Sequence, residues 1–322
     1  MKTLRMLTGL AALLTAASAF SQEAYPSKPI RLIVPYAPGG VSDITGRIVA
    51  QKMTELLGQP MVVENRAGAG GMVGTGAGAK AEPDGYTIVL SSLSAYAIGP
   101  RLVKAPLYDP VRDFTPIAPV ALSPTILTVG PSLPFQTLKE VITYAKSNPG
   151  KLTYGSSGIG SVAHISAEML RATTGVELVH VPYKSAAQAY PDVISGSVSM
   201  VFDALPSAIQ HIRAGKVRPI AVMSERRASL VPEVPTFAEA GYPEATLRLW
   251  VGLHGPAHLP APIVQKLNET AAKAVASPDV RERFTAVGAD SYSTSAREFA
   301  EMVRADVERL GKMMAAAGIK GE

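Results

Sequence analysis

Ile30 to Asp43 reads IRLIVPYAPGGVSD, a short apolar run that passes through a Pro/Gly loop straight into an amphipathic stretch. Ile30, Leu32, Ile33 and Val34 predict a buried strand, and Pro35, Pro38, Gly39 and Gly40 end it. Ile44, Ile48, Val49 and Met53 then repeat at helical spacing, with Ser42 as the expected cap. A strand running through a glycine loop into a helix leaves the first helical N–H groups without intrahelical partners, with the positive end of the helix dipole behind them. Such a loop suits a carboxylate or phosphate oxygen, though an ordinary βα turn has the same sequence.

Halfway along the chain the pattern recurs. Lys151–Tyr154 predicts a strand, Gly155-Ser156-Ser157-Gly158-Ile159-Gly160 a loop, and Ser161 the cap of a helix whose apolar face carries Val162, Ile165, Met169 and Leu170. Two such loops facing each other would clamp one anion from both sides. Further strands are expected at Pro60–Glu64 and at Tyr86–Leu90, the latter ending in Ser91 and Ser92. The alternation of apolar runs with amphipathic stretches predicts parallel α/β architecture. Thr137 to Glu140 and Ser295 to Glu298 have the spacing of capping boxes.

The first residues predict export. Lys2 and Arg5 precede an apolar run of 12 residues, Met6 to Ala17, and Ala17-Ser18-Ala19 supplies small residues for a cut after Ala19. The run is shorter than the ~20 residues a membrane span needs, and with no cysteine in the chain a lipid anchor, a disulfide framework and a thiolate metal site are all excluded. A signal peptide over 1–19 and a soluble periplasmic chain of 303 residues are expected, long enough for two domains. The formal charge of +5 falls to +3 when Lys2 and Arg5 leave, and the basic residues are scattered, which argues against nucleic-acid binding.

Several chemistries can be set aside. Gly74-Thr75-Gly76-Ala77-Gly78-Ala79 fits a dinucleotide fingerprint formally, but it does not open from a strand and no acid follows at the ribose-binding distance, so tight helix packing is the expected use of these glycines. His254 and His258 are separated by Pro256, which forbids the helix a zinc pair requires. No cofactor and no metal are expected. The serines at the strand ends keep open a secreted α/β serine hydrolase acting on small esters or amides, for which an activated serine needs a histidine in reach. Asp203 closes the apolar run Val198–Phe202, a usual ligand position, where it would repel an anion unless it orients a loop, holds water or meets a ligand hydroxyl or amine. Asp43 invites the same reasoning.

Eight blocks in order, YPSKPIRLIVPYAPGGVSD, VVENRAGAGG, EPDGYTIVL, GSSGIGSVAH, VPYKSAAQAYPDVISGSVSMVFD, GKVRPIAVMSERR, VPTFAEAGYP and GPAHLPAPIVQKLN, resemble the Bug-type (TctC-like) solute-binding receptors of tripartite tricarboxylate transporters over essentially the whole mature chain. Small departures stand at Gly46, Ala67 and Ser185. The resemblance implies a type II periplasmic-binding-protein fold, two α/β lobes joined by a two-crossing hinge, with residues 20–123 and 226–322 in the first lobe and 124–225 in the second. It implies a monomeric, non-enzymatic receptor that takes a small carboxylate solute and delivers it to membrane permease subunits. The carboxylate grip carries over onto Tyr36, Ala37, Pro38, Gly39, Gly40 and Asp43 in the first lobe, and onto Ser156, Ser157, Gly160, Ser161 and Asp203 in the second. Ser91, Ser92 and Tyr183 are further ligand candidates, and Tyr36, Tyr96, Tyr183 and Trp250 are candidates for the wall that reads the solute's body.

Overall fold

The computed structural model describes residues 25–36, 38, 41–183 and 186–319. The expected leader with its cut after Ala19, the loop residues Ala37, Gly39 and Gly40, and Ser185 lie outside them. Two mixed sheets organise the chain. The first has the order β11-β4-β10-β3-β1-β2, built from β1 (Ile30–Val34), β2 (Met61–Asn65), β3 (Thr87–Ser92), β4 (Phe114–Leu122), β10 (Trp250–Pro256) and β11 (Asp290–Ser291). The second has the order β7-β6-β8-β5-β9, built from β5 (Thr125–Val129), β6 (Leu152–Ser156), β7 (Leu178–Pro182), β8 (Met200–Ala204) and β9 (Arg218–Val222).

Both sheets contain the same wound unit. β1 pairs in parallel with β2 and β3, and β6 in parallel with β7 and β8. The helices Val41–Leu57 and Val162–Thr174 make the first crossover of each unit. The parallel α/β pattern expected from the alternation holds within each wound unit, and antiparallel strands are added to it: β10 runs antiparallel to β3 and β4, and β5 antiparallel to β8 and β9. These are the strands by which the chain enters or leaves a sheet across the gap, so they run against those laid down by βαβ winding.

β4 ends at Leu122 and β5 begins at Thr125, so the first crossing is two residues long. After β9 the chain stays on the second sheet. Val222 bridges Thr236, and Ala228, Val231 and Val234 are buried with Ile126, Val201 and Val222. The chain reaches the first sheet again at Trp250. The outgoing and returning segments are tied side by side: Ser123 N–H donates to Leu249 O at 2.9 Å and Leu247 N–H to Met223 O at 2.8 Å.

Burial explains why these elements form. Ile30, Leu32, Ile33 and Val34 are all inaccessible, each contributing about 1.5–3 kcal/mol of transfer free energy. The helix Met72–Ala79 lies close on the sheet because it is rich in glycine, as the sequence suggests. A Cβ on Gly74 would stand 2.6 Å from Arg66 O and 2.7 Å from Pro35 Cα. Both capping boxes are present, at Thr137/Glu140 and Ser295/Glu298. Among the described residues no helix is long and apolar enough to cross a membrane.

Candidate functional site

In a wound sheet the ligand crevice opens where neighbouring crossovers leave a strand in opposite directions, at the carboxyl ends of the strands. Here that point lies beside β1, between β2 and β3, and beside β6, between β7 and β8. The two crevices share one cavity of about 360 Å³. The first sheet contributes Tyr36 and Ser42 after β1, and Ser92, Leu93 and Ser94 at the end of β3. The second contributes Ser157, Ser161, Val162 and Ala163 after β6, and Phe202, Asp203 and Ala204 at the end of β8. Ser123 and Leu249 to Val251 line the side where the chain crosses.

Each half is held by its own hydrogen bonds. Ser161 caps its helix through Oγ, which accepts from His164 N–H at 3.2 Å, so the first turn of that helix ends in the cavity with Val162 and Ala163 on the wall. Gly160, at φ +75°, makes the turn before it, a conformation glycine adopts without strain. On the other side Tyr36 Oη and Ser92 Oγ meet at 2.5 Å, and burial pushes the Tyr36 phenol up. Asn65 braces this loop by donating to Tyr36 O at 3.0 Å and to the Asp43 carboxylate at 2.8 Å.

The cavity is polar without being basic. Six serines line it, and no Lys, Arg or His is among its described lining residues. The one charged side chain among its described lining residues is Asp203, which accepts from the Ala204 N–H at 2.8 Å through Oδ1, while Oδ2 is buried without a hydrogen-bond partner among the described residues. Burial raises the Asp203 carboxyl above the ordinary range, opposed by Ser207, the Ala204 N–H, Tyr190 and His211. Anion binding would therefore rest on backbone N–H groups, helix ends and hydroxyls.

Of the residues singled out from sequence, Tyr36, Ser92, Ser157, Ser161, Asp203 and Trp250 meet in this cavity. Others stand behind it. Asp43 is 3% exposed, its carboxylate committed to Arg47 and Asn65. Ser91 pairs with Thr75 Oγ1 at 3.1 Å, and Ser156 with His180 Nε2 at 2.5 Å, both serines being fully buried. Gly160 acts through its N–H, which donates to His164 Nδ1 at 3.1 Å, and Pro38 is exposed away from the lining. Tyr183 is turned to Asp192 Oδ2 at 2.6 Å, and Tyr96 is sunk among Phe114, Trp250 and His254, so neither is part of the wall. Ser42 does not begin its helix: the helix starts at Val41, so Ser42 sits in the first turn and lines the cavity instead.

Sequence reasoning missed Ser94, Ser123, Phe202 and Leu249. Ser123 and Leu249 belong to the crossing segments, whose contacts depend on how the two sheets meet. Phe202 carried a usable signal, since it immediately precedes Asp203 at a strand's carboxyl end.

A family model described as the tripartite tricarboxylate transporter family receptor matches residues 45–319. Among curated relatives, a UPF0065 protein from the tcbD-tcbE intergenic region of Pseudomonas sp. (strain P51) is 37% identical over 313 residues, covering 96% of this chain and 93% of the relative. BugT of Bordetella pertussis is 35% identical over 305 residues, covering 94% of each. Among solved structures, R. palustris Rpa4515 with adipate superposes with a TM-score of 0.75 at 34% identity, covering 92% of this chain and 100% of that one. MatC from Rhodopseudomonas palustris with bound malate gives 0.71 at 32% identity, covering 90% and 99%. A family match over most of the chain, joined to full-length relatives and the two-sheet cavity, places this chain in the Bug-type, TctC-like receptor family of tripartite tricarboxylate transporters.

Proposed function

We propose that this chain is an extracytoplasmic receptor that captures a small carboxylated organic solute between its two lobes. The observation that carries this is the meeting of two helix N-termini, one from each sheet, at a single serine-lined cavity without basic side chains among its described lining. The first lobe would comprise 20–123 with 250–322 and the second 124–249; the return expected near residue 226 moves to Trp250 because Ala228, Val231 and Val234 pack with the second sheet. Solute that touches both lobes favours the closed form by the extra affinity it has there.

A micromolar to nanomolar receptor needs about 8 to 12 kcal/mol. Charge-assisted hydrogen bonds of about 1.5–3 kcal/mol each, together with apolar burial against the half-buried Val162 and Leu249, reach that range. The volume suits a small molecule, being near the lower end of the roughly 300–1,000 Å³ of ligand sites. Adipate and malate in the related structures support a dicarboxylic acid as the class of guest. The receptor would work in the periplasm as a monomer and hand its solute to membrane permease subunits of a tripartite transporter.

Capture requires no chemistry. A hydrolase would need a serine and a histidine in contact at the substrate, and Ser156 with His180 is such a pair. The Ser156 hydroxyl, however, also accepts from Gly158 N–H at 2.9 Å and stands outside the cavity lining, so its contacts are those of a loop brace. A thermal-shift screen against a carboxylic-acid library tests the proposal, because a ligand at 100 times its dissociation constant adds about 2.7 kcal/mol. At least one small di- or hydroxy-acid should stabilise the protein while its methyl esters do not. Stabilisation by no acid, or equally by the esters, would contradict it.

A further inference from the structure

The loop from Ser157 to Ser161, which supplies two serines to the cavity, is held from behind by a pair of histidines. Gly160 N–H donates to His164 Nδ1 at 3.1 Å, and Gly158 N–H donates to Ser156 Oγ, itself 2.5 Å from His180 Nε2. The two imidazoles stack with centroids 4.7 Å apart and planes 27° apart, and the Tyr154 ring lies 4.9 Å from His180 on the same stack. To accept from an amide, Nδ1 of His164 must carry no proton. A protonated Nδ1 would point N–H against N–H, and the stack leaves the ring little freedom to turn away.

The surroundings favour the neutral rings. Burial lowers the pKa of His164, His180 and Arg171 lower it further, and Glu168, whose Oε1 is 3.9 Å from Nε2, opposes them. Burial also lowers His180, again opposed by Glu168. Glu168 is held by Arg171 through two 2.7 Å contacts, which limits its help to an imidazolium. The other elements packed on this helix carry Tyr154 on β6, Asp203 on β8, Glu244 in the turn Pro243–Ala245, and Asp306 with Arg309 on the helix Ala296–Ala316. None of these is hydrogen-bonded to either imidazole among the described residues.

We infer that His164, with Nδ1 bare, is the positioning residue for the second lobe's half of the solute site, and that proton uptake by the His164–His180 stack frees the Ser157–Ser161 loop and weakens solute capture in acidic surroundings. This rests on the cavity being the solute site. Asparagine would place its Oδ1 where Nδ1 stands and accept the same hydrogen bond without titrating.

Backbone amide exchange, followed by NMR on the full chain between pH 8 and 4.5 without solute, tests the device directly. The protection factor of the Gly160 amide should fall about tenfold per pH unit once the ring titrates, at pH values where the Leu127 amide in β5, which opens only with the fold, stays far more protected. His164→Asn should keep Gly160 protected with no pH dependence, and His164→Ala should lose the protection throughout. A flat Gly160 profile in the natural protein, or a His164→Asn profile that follows the natural one, would overturn the inference. Should His164→Ala fail to fold, those two profiles still decide. Thermal shifts with malate and adipate at pH 7.5 and 5.0 form a separate arm. If the Gly160 amide behaves as expected but neither these acids nor the wider library stabilises the protein at either pH, the solute assignment fails while the loop mechanism stands.

Discussion

Replacing Ser161 with aspartate separates what this residue does for its helix from what it does for the cavity. As the N-cap, Ser161 Oγ accepts from His164 N–H, and its loss in Ser161→Ala should cost about 1 kcal/mol. Aspartate caps as well as serine and gains about 0.3–1 kcal/mol from the helix dipole, so Ser161→Asp should be at least as stable as the natural protein. Binding should respond differently. A 360 Å³ cavity is about 9 Å across if taken as a sphere, so a solute carboxylate near its centre lies ~5 Å from an aspartate on the wall, and at an effective dielectric of about 20 the repulsion is ~3 kcal/mol. That is on the order of a hundredfold loss of affinity. Ser161→Asn, which caps without charge, should stay within a few-fold of the natural protein. Isothermal titration with the acid giving the largest thermal shift, beside melting curves of all three variants, makes the comparison. Raising salt should recover only part of the loss, since a charge pair inside a cleft is screened less than one on an open surface. If Ser161→Asp melts normally and binds the acid as tightly as Ser161→Asn, the anion does not sit against this helix end and the reasoning fails.

Two further outcomes follow from packing and protonation. Gly74→Ala should destabilise the fold by about 2–3 kcal/mol in urea unfolding, because the new methyl meets Arg66 O and Pro35 Cα, backbone atoms that cannot swing aside. Unchanged stability would show that the helix can lift from the sheet freely. His254 is fully buried, with Nε2 unpartnered among the described residues and its pKa pushed down from 6.5 to about 3 by burial. The fold thus favours the neutral ring, and the unfolded chain takes up the proton first. The stability contributed above pH ~6.5 is lost at about 1.4 kcal/mol per pH unit as pH falls towards the folded value. His254→Phe should flatten the pH dependence of urea unfolding between pH 6 and 4 by close to one proton, and an unchanged slope would refute the assignment.

Much of this could be read from the sequence, and what could not has physical causes. β1 coincides with the apolar run Ile30–Val34 because a buried strand between two neighbours must be apolar on both faces. The Ser161 cap was legible because cap chemistry is local. Ser156 and Ser157 could not be told apart, since β6 runs two residues beyond the expected Tyr154 and side chains alternate along a strand, so the parity of the last residue decides which serine is buried. At Ser42 a favourable cap residue points to a helix beginning at Asp43, and the helix starts two residues earlier, at Val41. Tyr96 and Tyr183 have the composition of a binding wall, but their surroundings are set by Phe114 and His254 and by Asp192, contacts that alternation and spacing do not encode. Ser123 and Leu249 reach the cavity only through the antiparallel crossing strands, a long-range feature of the topology.

The chain has one tryptophan, Trp250, fully buried directly behind the cavity lining between Leu249 and Val251, where its indole senses changes at the cavity without touching the solute. Its fluorescence, followed while a panel of mono-, di- and tricarboxylic acids is titrated at pH 7.5, reports most directly on whether this cavity receives a carboxylated solute. At least one small acid should produce a saturable change that its methyl ester does not. A signal indifferent to every acid, or an ester titrating at the same midpoint as its acid, would contradict the account.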